Sequence, residues 1–176
     1  MLRRSLDALY LAGGVLGAIF LVAIGVLIVA QILGRQFGFQ TRGADDLSAW
    51  AVAGAGLLPL AYTFRHGAHI RVDLVLGRIK GPSRRALEIL ALALATIMTG
   101  FFAFATIGMV WDSFVFGEIA MGLLRWPTWI PQLAQVIGAL LFALALADDL
   151  VVVLAGGKPS WEQHEAGALE RAGEEL

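Results

Sequence analysis

Few side chains in this 176-residue sequence are equipped to do chemistry, and its three histidines come first. His66 and His69 lie with Asp73 in Arg65-His66-Gly67-Ala68-His69-Ile70-Arg71-Val72-Asp73, the densest polar stretch of the chain. These are zinc-ligand types, but a zinc site takes four ligands, or three and a water. No fourth ligand is near, and Gly67 weakens any helix that would hold the spacing. The stretch reads better as interfacial histidines that contact headgroups or carbonyls. Haem held between membrane helices takes axial ligands, usually His, from the spans, whereas His66, His69 and His164 all stand in polar segments. With no Cys, iron–sulfur ligation, cysteine zinc sites, disulfides and covalent haem are excluded. Gly54-x-Gly56 lacks the third glycine and the strand–helix setting of a dinucleotide fingerprint. No cofactor, metal or catalytic residue is expected.

Two further groups carry information. Asp45 and Asp46 begin an apolar run, where the positive end of a helix dipole favours carboxylates by a few tenths of a kcal/mol to about 1 kcal/mol. Plain helix-start chemistry accounts for the pair; binding basic groups of a partner, or supporting a periplasm-facing contact, is the functional alternative. Arg125-Trp126-Pro127-Thr128-Trp129-Ile130-Pro131 precedes another apolar run. Proline is tolerated in a first helical turn because its missing N–H would be unpaired there anyway, and tryptophan favours the membrane interface.

The elements that position these residues are membrane helices. The chain is 59% apolar and 15% charged, with mean hydropathy +0.77, against about 25% charged in soluble domains. A net charge of -1 offers no electrostatic footprint for nucleic acid. Residues 8–34, 47–64, 89–111 and 126–147 carry no Asp, Glu, Lys or Arg, and a span needs about 20 mostly apolar residues. The expectation is an all-α integral membrane protein of four transmembrane helices. The first run exceeds the length of a signal h-region and should stay as an anchor. The second, at 18 residues with Gly54, Gly56 and Pro59 inside it, is the shortest.

Ten of the thirteen Lys and Arg residues fall in the N-terminus, the second loop and the C-terminal tail, which predicts both termini in the cytoplasm. Within the second loop Val72, Val75, Leu76 and Ile79 recur at helical spacing. A strand there would leave its backbone unsatisfied at a membrane, so a short amphipathic interfacial helix is expected. Arg78, Lys80, Arg84 and Arg85 would then lie among lipid headgroups. The membrane domain covers 1–155, and 156–176 reads as an acidic, mobile cytoplasmic tail.

No span holds an ionisable residue near its middle, where a proton- or cation-coupled pump would need one. The chain therefore reads as an accessory rather than a complete transporter. Small residues four apart, such as Gly13 and Gly17, Ala51 and Ala55, and Ala134 and Gly138, allow close helix approach. They suit internal packing, a surface for another membrane protein, or both.

The four spans, the acidic pair, the Gly67-x-His69-Ile70-x-Val72-Asp73 stretch after it and Trp126-Pro127-x-Trp129-x-Pro131 together resemble the small membrane subunit of TRAP transporters, the DctQ-like family, over roughly residues 5–155. Gly43 departs from that pattern, standing where many members have Trp, and Ala49 stands where a basic residue is common. The resemblance implies a bacterial or archaeal sodium-coupled secondary transporter importing an organic acid across the cytoplasmic (inner) membrane. Its partners would be a large multi-span membrane subunit, a periplasmic substrate-binding protein and membrane lipids. The residues carried over as partner or structural interface are Asp45, Asp46, His69, Arg71, Asp73, Trp126, Pro127, Trp129 and Pro131. A membrane anchor tethering a redox enzyme or sensor is the alternative from another class.

Overall fold

A computed structural model of the chain describes residues 2–39, 41–67, 82–157 and 159–160. Among them the protein is helical: α1 (Leu2–Phe37), α2 (Ala44–Leu57), α3 (Leu60–Arg65), α4 (Pro82–Val115) and α5 (Trp129–Leu154). In lipid every backbone N–H and C=O must be paired within its own segment, and a continuous helix does this for an apolar run. Four stretches are long and apolar enough to cross a membrane, with α2 and α3 forming one of them over Ala44–Arg65. The all-α, four-span architecture is therefore present. The residues on which the interfacial helix is expected lie outside the described ones, together with His69, Arg71, Asp73, Arg78, Lys80 and the tail from residue 161.

The helices outrun the charge-free gaps. At 1.5 Å per residue α1 and α4 are each about 50 Å long, against a hydrocarbon core of about 30 Å. Helix α4 starts at Pro82 rather than 89, because Arg84 and Glu88 form a helical ion pair at 2.9 Å that holds the polar first turns. Helix α5 starts at Trp129 rather than 126. The backbone of Trp126–Thr128 instead pairs with 118–120: the Ala120 N–H donates to the Trp126 carbonyl, and the Thr128 N–H to Glu118. The short second gap becomes a 22-residue span because both ends are helical, with Asp45 and Asp46 in its first turn and Arg65 in its last.

Pro59 breaks that span. Its ring removes one ladder hydrogen bond and crowds the preceding turn, separating α2 from α3 at Leu58 and Pro59. The Thr63 hydroxyl donates to the carbonyls of Pro59 and Leu60, at 3.1 and 3.0 Å. Glycines receive the kink from both sides. A Cβ built on Gly17 would lie 2.6 Å from Pro59 Cδ, one on Gly13 2.8 Å from the Leu58 carbonyl, and one on Gly138 2.6 Å from the Leu57 carbonyl carbon. The small-residue positions at Gly13, Gly17 and Gly138 thus serve packing inside the chain, where the absence of side chains lets helices approach.

Helix α4 packs almost entirely on α5, while α1 packs on α2 and α3. The principal core cluster, containing Tyr10, Ala61, Phe64, Leu92, Leu141 and Leu146, gathers toward the Arg65 end. The outward faces are apolar and bare: Val22 and Val26 on α1 and Phe101 and Phe104 on α4 are each more than 60% exposed. Such continuous apolar surface is compatible with lipid tails or other membrane helices, not with water.

Candidate functional site

The charged and polar side chains concentrate at the two ends of the bundle. At one end the last turn of α3 meets the first turns of α1 and the last turns of α5. Arg65 donates from Nε to Asp7 at 3.0 Å and from Nη1 to Asp148 at 2.6 Å. Its guanidinium carbon lies 5.5 Å from the centre of the Tyr10 ring. The Arg65 side chain is 10% exposed, whereas Asp7 is more than half exposed. One cation thereby ties three spans together. Beside it Asp149, almost fully buried, accepts the Ser160 hydroxyl at 2.6 Å and the Ser160 N–H. Arg85 joins α4 to the same end by donating to the Val153 carbonyl at 3.1 Å, the charge-on-carbonyl arrangement that suits a helix C-terminus. Asp148 and Asp149, the first charged residues after the run 126–147, belong to helix α5.

At the other end the chain closes over the start of α2. Gly43 has φ +79°, and a Cβ there would lie 2.6 Å from Leu124 Cγ. Glycine meets both constraints. Of the acidic pair, Asp46 accepts the Leu124 backbone N–H at 3.0 Å, and a Cβ on Gly122 would overlap its carboxylate. A carboxylate at a helix start thus reaches across to hold the loop between α4 and α5. Trp50 and Trp126 support the same contact, with ring centres 5.9 Å apart. Trp129, at the start of α5, packs edge-on against Phe114 of α4 at 5.8 Å. The loop is folded on itself, with Ser113 donating to Glu118 at 2.7 Å. Asp45 faces elsewhere, into a pocket lined with Gln31, Arg35 and Arg42.

Of the residues singled out in sequence, Asp46 and Trp126 each join α2 to the loop before α5, through Leu124 and Trp50 respectively, Trp129 and Pro131 open α5, and Pro127 lies in the paired loop. Arg84 is engaged with Glu88 and Arg85 with α5. The arrangement offers no group of three His, Asp or Glu residues fit to hold a metal among the described residues. Polar clasps stand at each end of the bundle, and the spans between them are apolar.

Comparison with known families decides the matter: the family of "Tripartite ATP-independent periplasmic transporters, DctQ component" matches residues 24–156. The chain belongs to the DctQ family. It is thus a multi-pass membrane protein of a family that supplies the small component of TRAP transporters, not an enzyme family. The match includes the Asp46 clasp, the Pro59 kink and Asp148–Asp149, but begins after Asp7 and Tyr10. No curated protein matches the chain.

The Arg65 cluster escapes a reading of the sequence alone, in which Arg65 counts among the loop cations and Asp7 goes unremarked. Its signal is topological. In an up-and-down bundle the start of the first span and the ends of the second and fourth lie at the same end, so Asp7, Arg65 and Asp148 are bound to be neighbours.

The Asp46 clasp yields a measurable expectation. A charge-assisted hydrogen bond is worth about 1.5–3 kcal/mol, so Asp46→Ala should raise the amide exchange rate at Leu124 by about tenfold or more. Exchange elsewhere in α1 and α5 should stay near native. Hydrogen–deuterium exchange of the full chain in nanodiscs reads this directly, and an unchanged Leu124 would mean the loop is held without the carboxylate.

Proposed function

We propose that this DctQ chain is the fixed small permease subunit of a sodium-coupled TRAP transporter importing an organic acid across a bacterial inner membrane. It would stand beside the large membrane subunit, with a periplasmic binding protein delivering substrate. The observation that carries the reading is the family match over residues 24–156, on a chain whose charge-free runs hold no Asp, Glu, Lys or Arg at bilayer depth. Sodium and substrate would accordingly be bound by the partners. Asp45, Asp46, His69, Arg71, Asp73, Trp126, Pro127, Trp129 and Pro131 are assigned to partner contacts or to the frame that presents them. Arg78, Lys80, Arg84 and Arg85 are assigned to the headgroup layer. The test is co-purification: the tagged full chain, extracted from its native membrane, should bring down a large many-span protein encoded beside it. Recovery of an oxidoreductase or a kinase instead would replace this reading with that of an anchor.

The basic residues give the orientation its test. Reporter fusions at Lys80 and after Ala155 should both report cytoplasm, and one near Phe116 should report periplasm, because positive charge is retained inside. A periplasmic signal at Lys80 would overturn the proposed topology.

A further inference from the structure

At the end of the bundle that holds the Asp46 clasp lies a concave site that neither the clasp nor family membership explains. It is lined by Gln31 and Arg35 from the last turns of α1, Phe39, Thr41 and Arg42 from the connection, Asp45 from the first turn of α2, and Leu123 from the loop. Its volume is about 320 Å³, at the small end of the roughly 300–1,000 Å³ typical of small-molecule sites. Neither Arg35 nor Arg42 forms an ion pair among the described residues, and Asp45 has no cation within ion-pair distance there. Two arginines and one aspartate therefore line one pocket with no ion pair between them.

The depth of the pocket identifies the phase it faces. Arg35 is the first charged residue after the 27-residue run 8–34, so it stands where the apolar part of α1 ends. Phe37, Phe39 and Leu123 around it are each more than half exposed, and aromatic residues beside basic ones are typical of the headgroup layer. A guanidinium donates two parallel hydrogen bonds to a carboxylate or a phosphate, and in the headgroup layer the anion at hand is the lipid phosphate. An anionic lipid bearing only a phosphodiester would leave Asp45 facing a like charge. A headgroup carrying an ammonium a few bonds beyond the phosphate satisfies all three side chains.

We propose that this pocket binds a phosphoethanolamine-headgroup phospholipid, with Arg35 and Arg42 on the phosphate and Asp45 on the ammonium. Phe39 and Leu123 cover the glycerol and the first acyl carbons. The site gives the end of α1 a fixed mooring in the leaflet, with Asp45 serving the frame rather than a partner contact, and it does not rest on the transport reading.

The test uses the purified full chain in detergent, titrated with phosphatidylethanolamine or phosphatidylglycerol and read by native mass spectrometry. The wild type should bind phosphatidylethanolamine in preference to phosphatidylglycerol. With each surface arginine worth about 1 kcal/mol toward a lipid phosphate, Arg35→Gln with Arg42→Gln should weaken phosphatidylethanolamine binding by about tenfold or more. Asp45→Asn, which leaves both arginines in place, should abolish the preference by strengthening phosphatidylglycerol binding. Arg125→Gln, outside the pocket, should change neither. Soluble glycerophosphoethanolamine should fail to compete, because the apolar wall contributes. Circular dichroism and monodispersity establish that each variant is folded. Equal binding of the two lipids by the wild type, or binding indifferent to Arg35 and Arg42 in folded protein, would overturn the assignment. Competition by the soluble headgroup would overturn it in favour of a water-borne phosphate ester.

Discussion

Replacing Arg65 by Met should destabilise the folded chain by about 3 kcal/mol, the low end of the cost of stripping one partner from a buried ion pair. The Arg65 side chain is 10% exposed and Asp148 23%, so the carboxylate left behind is held where water reaches it poorly. Asp7, more than half exposed, adds under about 1 kcal/mol to the loss. Arg65→Lys should fall between the two, because an ammonium cannot reproduce the fork that reaches both carboxylates while lying over Tyr10. Adding Asp148→Leu to Arg65→Met should recover much of the loss, since the carboxylate then left without Arg65 in the ion pairs is Asp7, which water reaches. Denaturant titration of the chain in micelles, with Asp148→Leu alone completing the cycle, gives the stabilities and hence the coupling. A coupling near zero would mean that the three spans are held together by apolar contact alone.

Gly138→Leu should be at least as damaging. Overpacking a filled interior typically costs about 1–3 kcal/mol, and here the obstruction is not a flexible side chain. A Cβ on Gly138 would meet the Leu57 carbonyl carbon at 2.6 Å and the Leu58 nitrogen at 2.8 Å, backbone atoms at the Pro59 kink, which is backed in turn by Gly13 and Gly17. Neither side can give way, so the expected loss is more than about 3 kcal/mol. Gly100 and Gly108 on α4 provide the control, because a Cβ at either meets nothing within 4 Å. Gly100→Leu and Gly108→Leu should stay within about 0.5 kcal/mol of the native stability. Thermal unfolding in nanodiscs separates the two classes. Equal tolerance at Gly138 and Gly100 would show that α5 does not seat on the kink.

What is legible in the sequence follows from the scale of the signals. The four spans are visible because a run of eighteen or more apolar residues without charge matches the thickness of the hydrocarbon core, and the family shows in Asp45–Asp46, Gly67–Asp73 and Trp126–Pro131. Helix ends are less legible. Trp126 and Pro127 carry helix-start chemistry, yet their backbone pairs with residues 118–120 and the helix waits until Trp129. Long-range polar contacts are hidden by separation: Arg65 and Asp148 are 83 residues apart, and Asp46 and Leu124 78. Spacing rules apply to neighbours along a helix, so they say nothing of charges like these until the bundle brings them together. The glycines are ambiguous for a related reason. Gly17 and Gly100 look alike in sequence, but one faces Pro59 and the other open space.

The central claim is that this chain frames a transporter without itself binding the cargo or the coupling ion. Uptake of a radiolabelled organic acid into proteoliposomes under an inward sodium gradient tests it most directly, using the substrate identified from the co-purified system. The full chain alone should show no uptake above protein-free vesicles, and neither should the large subunit with the binding protein. All three together should restore sodium-dependent uptake. Sodium-driven uptake by this chain alone, or full uptake in its absence, would contradict the account.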